Sequence, residues 1–277
     1  MTNSILNENN RKSLALFLKE YKNETGIDET LASDIIREYC KYHDNEEYDA
    51  IKIKRLLDLE TAWYESLKNN SPDYNVYLDS YYLYEVWLCW IKYSKNYLKS
   101  LSNKIVPETG KTIVEDIKAE TIIDLGCGFG YTTAGLKELF PHSRVLGTNM
   151  KDSYQYRVAT ILGKNRNFEV VDSFQGIRAD LIFASEYFEH FLSPLKHLQE
   201  VIDQCEPKYF IVANSFNTRA IGHFISYENE MNKKITGNAI TKMFYEKMKF
   251  NGYEKIKTTC WNNRPGYWKK YKESLYD

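Results

Sequence analysis

Two short runs of this 277-residue chain hold residue types that can do chemistry. The first is Asp124-Leu125-Gly126-Cys127-Gly128-Phe129-Gly130, which follows the apolar pair Ile122-Ile123 and leads into Tyr131-Thr132-Thr133. Glycines there admit positive φ and remove the Cβ atoms that would keep a ligand off the backbone. A helix starting just beyond offers free N–H groups and a partial positive charge, which suit a carboxylate. The spacing is G-x-G-x-G with an acid two residues before the first glycine. A dinucleotide turn needs G-x-G-x-x-G, and a phosphate loop needs G-K-[ST]; neither is present. The bland alternative is a tight strand-to-helix turn without a ligand.

The second run is Ser185-Glu186-Tyr187-Phe188-Glu189-His190-Phe191. Glu186, Glu189 and His190 stand at i, i+3 and i+4, so a helical turn would point all three to one side. Two carboxylates and an imidazole can hold Mg²⁺ or Mn²⁺. Alternatively, His190 can serve as a general base without metal. As a third alternative, Glu189 and His190 cap or bridge a loop. His142 and His197 read as surface residues.

The elements around these runs change character near residue 105. Before it the chain reads as helical, with apolar spacing over 11–22, 27–42, 46–67 and 76–101. The last helix is dense in rings: Tyr77, Tyr81, Tyr82, Tyr84, Trp87, Trp90, Tyr93 and Tyr97. They either pack a core or roof a substrate pocket. After Pro107-Glu108-Thr109-Gly110, strand patterns at 120–125, 144–148, 167–171, 180–184 and 208–213 alternate with helix patterns at 130–139, 152–162 and 192–204. A helix at 238–250 and two further strands, 253–260 and 265–271, follow. That alternation predicts a parallel α/β sheet with helices on both faces and an antiparallel C-terminal hairpin. The division expected is a helical extension over 1–105 and a catalytic domain over 106–277.

Composition excludes several classes. The net charge is −1, so no global positive field attracts nucleic acid or anionic lipid. No segment approaches the length of a spanning helix. The N-terminal stretch has no signal-peptide pattern, and five scattered cysteines form no CxxC pair, so a reducing cytoplasm and no membrane partner are expected.

Residues 118 to about 217 resemble the core of the class I S-adenosylmethionine-dependent methyltransferases, a Rossmann-like fold with a seven-stranded, mostly parallel sheet. The resemblance implies that Asp124, Gly126, Cys127, Gly128 and Gly130 surround the amino-acid end of S-adenosyl-L-methionine. The family usually ends its second strand in an acid that binds the ribose hydroxyls. This chain has Gly147-Thr148-Asn149-Met150, so Asn149 or Gln155 is expected there instead. Asp172 then meets the adenine amino group and Phe174 packs on the ring, with Ser173 and Ser185 beside them. The alternative for Asp172 is a cap or turn acid.

The E-x-x-E-H segment is similar to that of two metal-using branches, the ubiquinone-pathway O-methyltransferases and the small-RNA 2′-O-methyltransferases. In the latter a later histidine completes the set, here His223. The N-methylating signature [DNS]-P-P-[YFW] is absent from Ser185-Glu186-Tyr187-Phe188. The resemblance therefore implies methylation of a small-molecule oxygen. RNA 2′-O-methylation is the second reading, and a non-catalytic protein of the same fold that binds the cofactor or a partner is the third.

Overall fold

The computed structural model describes residues 46–79 and 82–271. The helices expected over 11–22 and 27–42 lie outside the described residues. Helix α1 (Glu46–Lys68) is followed by a 3₁₀ turn (Tyr74–Leu78) that Asp73 caps by accepting from Asn75 N. Where one helix was expected over 76–101, the structure has this 3₁₀ turn, then α2 (Tyr82–Cys89), a π-helical turn (Trp90–Ser94) and α3 (Lys95–Asn103). A small hairpin, β1 (Ile105–Val106) with β2 (Lys111–Thr112), leads into the short α4 (Ile113–Asp116). Thr112 and Glu115 close a capping box there.

The sheet is built from β3 (Thr121–Leu125), β4 (Arg144–Thr148), β5 (Glu169–Val171), β6 (Leu181–Ser185) and β7 (Tyr209–Ala213), all parallel. Crossover helices α5 (Tyr131–Leu139), α6 (Tyr154–Arg166) and α7 (Pro194–Cys205) connect them. After β7 come a second small hairpin, β8 (Tyr227–Glu228) with β9 (Lys234–Ile235), and helix α8 (Gly237–Phe250). The last strands, β10 (Tyr253–Ile256) and β11 (Gly266–Lys270), pair antiparallel, and β11 is antiparallel to β7. The order is β10-β11-β7-β6-β3-β4-β5. This is the expected seven-stranded, mostly parallel, Rossmann-like sheet. Strand order reverses between β3 and β6, so their carboxyl ends open a crevice where α/β sheets bind ligands.

The central strands are apolar along their whole length because helices cover both faces. Ile122, Ile123, Leu181, Ile182, Phe210 and Ile211 are all fully buried. The two hydrophobic cores both take residues from either side of residue 105. Trp90, Tyr97, Leu98 and Leu101 pack with Ile122, Phe183 and Ile211 on one face. Leu56, Leu59, Trp63, Val76 and Tyr77 pack with Ile123, Ile182 and Phe188 on the other.

Trp63 is the anchor of the second set. It is fully buried, meets Phe224 edge-on at 5.3 Å, and donates from Nε1 to His223 O at 2.8 Å. Trp63→Ala should remove both the packing and that bond. The expected cost is about 3–5 kcal/mol, or a fall in Tm on the order of 10 °C. A thermal melt followed by circular dichroism checks this; a melt within a degree of wild type would mean that α1 contributes little to the shared core.

Among the described residues no helix is long and apolar enough to cross a membrane.

Candidate active site

A cavity of about 620 Å³ opens at the carboxyl ends of β3, β4, β5 and β6. Its floor is the glycine turn. Gly126 (φ +67°) and Gly128 (φ +54°) hold left-handed conformations that a side chain would strain. A Cβ on Gly126 would sit 2.6 Å from Tyr187 Cδ2, and one on Gly128 would sit 2.7 Å from Val86 Cγ1. Helix α2 of the extension therefore rests directly on the turn. Gly126 N donates to Thr148 Oγ1, and Cys127 N to Thr148 O, which ties the turn to the end of β4.

Asp124 is buried under the turn and accepts from Thr133 Oγ1 at 2.7 Å. Burial pushes its carboxyl up to about 7, only partly offset by that hydrogen bond. Cys127 and Asp124 both line the cavity, but Gly130 does not. It caps the N-terminus of α5 and lies against Phe168 and Ala159, so its small size serves packing between α5 and α6.

Of the two residues expected at the ribose, Asn149 is engaged with backbone. Its Nδ2 donates to Gly128 O at 2.8 Å, and its Oδ1 accepts from Met150 N. Gln155, in the first turn of α6, donates from Nε2 to Tyr77 O, and its buried Oε1 has no hydrogen-bond partner. Asp172, Ser173 and Phe174 line the cavity beyond the end of β5. Asp172 and Ser173 are exposed at the rim and Phe174 is buried. Ser185, at the end of β6, shares a hydrogen bond of 3.1 Å with Ser94 of the π-helical turn.

The E-x-x-E-H segment departs from expectation. Strand pairing carries β6 through Ser185, and Glu186 N still donates to Ala213 O, so Glu186 (φ +52°) turns out of the strand instead of starting a helix. Helical geometry begins only with the 3₁₀ turn Phe188–His190. Glu186 and His190 consequently line the cavity, while Glu189 is fully buried behind it. Glu189 Oε1 accepts from Ser215 N at 2.6 Å, and Oε2 has no hydrogen-bond partner. Burial first, and the Glu186 carboxylate second, hold its carboxyl far above the usual range. Glu186 pairs with Arg264, whose NH2 lies 2.6 Å from Oε1. Among the described residues no group of three or more His, Cys, Asp and Glu side chains is arranged to hold a metal ion. Glu186 thus forms an ion pair with Arg264, Glu189 is a buried carboxyl beside Glu186, and His190 and His223 form a histidine pair.

That histidine pair is closely defined. The rings of His190 and His223 cross nearly at right angles with centroids 4.7 Å apart, and both line the cavity. His223 Nδ1 lies 2.9 Å from Thr218 O, which only accepts, so Nδ1 carries the proton and Nε2 a lone pair. Tyr77 Oη lies 3.1 Å from both Gly222 O and His190 Nδ1, and the Gly222 and Glu186 carbonyls both face the His190 ring. Burial holds His190 neutral, reinforced by His223 beside it. Three bonds from the extension fix the loop that carries His223: Trp63 to His223 O, Tyr64 to Ala220 O and Tyr77 to Gly222 O.

Several lining residues went unread in the sequence. His197, read as a surface residue, lies under the rings of Phe191, Phe174 and Tyr187. It donates from Nδ1 to Glu200 and accepts from Tyr187 Oη at 2.9 Å. Its spacing in α7, next to Leu198 and three residues after Pro194, carried the signal of an inward first turn. Glu85 of α2 lines the cavity with one buried oxygen that has no hydrogen-bond partner. Burial pushes it up to about 7, with Lys92 pulling the other way. The rings of the extension take both of their expected roles: Trp90 and Tyr97 are buried in the core, and Tyr74, Tyr77, Tyr82 and Tyr93 line the cavity.

Comparison with solved structures finds this architecture among methyltransferases. A crystal structure of the small RNA methyltransferase HEN1 is similar over 67% of this chain and 26% of its own, at 14% identity and a TM-score of 0.44. The plantazolicin methyltransferase BpumL, in complex with SAH and a substrate analogue, matches over 61% of both chains at 14% identity and a TM-score of 0.39. A Nostoc punctiforme protein described as an O-methyltransferase matches over 70% of this chain and 61% of its own, at 11% identity and a TM-score of 0.47. The chain thus spans about a quarter of the first and about three fifths of the other two. No protein-family model matches the sequence. No curated protein matches it either. At these identities the likeness concerns the fold, and function is read from the site's own residues.

Proposed function

We propose that this protein is an S-adenosylmethionine-dependent methyltransferase acting on an oxygen of a small-molecule acceptor. The observation that carries the reading is one continuous cavity, floored at one end by the glycine turn and bounded at the other by the His190–His223 pair. The cavity fits the cofactor by its unmet hydrogen bonds. Gln155 Oε1 and Glu85 Oε2 are buried acceptors on its wall without partners. They call for donors, and S-adenosylmethionine brings ribose hydroxyls and an ammonium. Asp124, Gly126, Cys127 and Gly128 would hold its amino-acid end, Gln155 the ribose, and Asp172, Ser173, Phe174 and Ser185 the base. Asn149 supports the turn from behind.

When bound, the cofactor supplies a methyl group on a positively charged sulfur. The protein supplies position and a proton acceptor. His190 takes the proton of the acceptor hydroxyl as the oxygen becomes a nucleophile. Tyr77 orients its ring through Nδ1, and His223, whose Nε2 carries a lone pair, is set to share the load. The aromatic walls exclude water, so most of the rate comes from alignment of the acceptor oxygen. The residues as they stand do not fit a resident divalent ion, because Arg264 occupies Glu186 and Glu189 is turned to Ser215.

The test is transfer of labelled methyl from S-adenosylmethionine into a fractionated extract. Label in the small-molecule fraction is expected. Label in RNA would replace the acceptor while keeping the donor assignment. Cofactor binding without label in any fraction would favour a non-catalytic protein of this fold.

A further inference from the structure

The wall behind Glu186 holds a cation that belongs to the chain itself. Arg264 follows the 3₁₀ turn Trp261–Asn263 and precedes β11. That turn is stiffened by Asn263, whose Oδ1 accepts from both Thr258 N and Thr258 Oγ1. Pairing of Gly266 with Val212 then delivers Arg264 to the end of β7, next to the end of β6. One guanidinium nitrogen meets Glu186 Oε1 at 2.6 Å and Ser215 Oγ at 3.0 Å. The group also lies over the Tyr97 ring, 5.7 Å from its centroid, and Tyr97 Oη donates to the same Glu186 oxygen at 3.4 Å. Glu186 is 7% exposed and Arg264 38%, so water reaches the pair from the arginine side only.

Carboxylates and imidazoles with free nitrogens are the ordinary ligands of a divalent ion. Here Glu186, His190 and His223 border one cavity, with the two imidazole centroids 4.7 Å apart, yet the carboxylate already has its counter-charge. We infer that the Arg264 guanidinium is the resident cation of the acceptor end of this site, set where a divalent ion would otherwise be captured by Glu186 and the histidines. Arg264 is a positioning residue. It fixes the Glu186 carboxylate and keeps the acceptor end from recruiting free metal. A lysine would keep the charge and lose the planar fork, whereas an alanine would leave Glu186 without a partner.

The methyl-transfer part of this inference rests on the proposed function, but its ion-binding part does not. The experiment is titration with Mn²⁺, followed by the electron paramagnetic resonance signal of the free ion, of the wild type, R264A, R264K and the double variant R264A/E186Q. Binding of S-adenosylhomocysteine is measured in parallel as a control for folding. The wild type and R264K should leave the free signal unchanged at millimolar Mn²⁺. R264A should bind Mn²⁺ at least about tenfold more tightly than wild type, and E186Q in that background should abolish the gain. Methyl transfer by the wild type should be the same with and without a chelator.

Mn²⁺ binding by the wild type that E186Q removes would overturn the inference, since an ion would then displace the guanidinium. A folded R264A with no gain in Mn²⁺ binding would overturn it too. Failure of the wild type to bind S-adenosylhomocysteine, with the Mn²⁺ results as expected, would instead count against the donor reading.

Discussion

Replacement of Gly128 by arginine should abolish cofactor binding. Two effects act together. A non-glycine residue at φ +54° carries a backbone strain of about 1–3 kcal/mol. Its Cβ would also stand 2.7 Å from Val86 Cγ1, so the side chain must push α2 away or fill the cavity. Each 1.4 kcal/mol is tenfold, so a loss of more than about 100-fold in affinity for S-adenosylhomocysteine is expected by calorimetry. Gly110→Arg is the matched control. Gly110 has φ +67° with no atom within 4 Å of a built Cβ, and it lies in the β1–β2 turn away from the cavity. It should bear the strain and keep the affinity. Equal affinities in all three proteins would remove the glycine turn from the donor site.

His190→Ala should separate binding from chemistry. The imidazole touches the acceptor end of the cavity, and the glycine turn does not depend on it. Loss of a positioned base lowers turnover by about 10²–10⁴-fold. Affinity for S-adenosylhomocysteine should stay within about twofold of wild type, since no donor-side hydrogen bond is lost. Tyr77→Phe gives the intermediate case: the ring stays, but the hydroxyl that meets His190 Nδ1 is gone. Full activity in His190→Ala would mean that the acceptor oxygen loses its proton without this residue, and His223 would be the next candidate. A fall in affinity equal to the fall in turnover would place His190 on the donor side.

The parallel sheet was legible because strands buried on both faces are written as unbroken apolar runs. Ile122-Ile123 and Leu181-Ile182-Phe183 have no helical period to confuse them. The glycine turn was legible because positive φ at Gly126 and Gly128 needs a residue without Cβ. The aromatic helices were harder. Rings continue at helical spacing through 74–97, so periodicity alone hid the separate 3₁₀, α and π segments. Only Pro72-Asp73, which seats the cap, pointed to a break.

The i, i+3, i+4 rule behind the E-x-x-E-H reading presupposes a helix, and here the pairing of β6 with β7 outlasts Ser185, so helical geometry begins only at Phe188. Arg264 was invisible because 78 residues separate it from Glu186, and only antiparallel pairing of the last strand brings them together. His197 was missed because a histidine among polar neighbours was taken as the outer face of α7.

The loop from Thr218 to His223 is held by carbonyl oxygens at positions 220, 222 and 223, each receiving a side-chain donor from the extension. A carbonyl is present whatever residue bears it. The exposed part of this wall, Thr218 and Arg219, borders the cavity, and the Arg219 guanidinium lies over the Tyr64 ring at 4.4 Å, whereas Thr218 holds His223 through its carbonyl alone. On the proposed function, substitution at Thr218 retunes acceptor selectivity while the loop, held from 160 residues away by Trp63, stays in register.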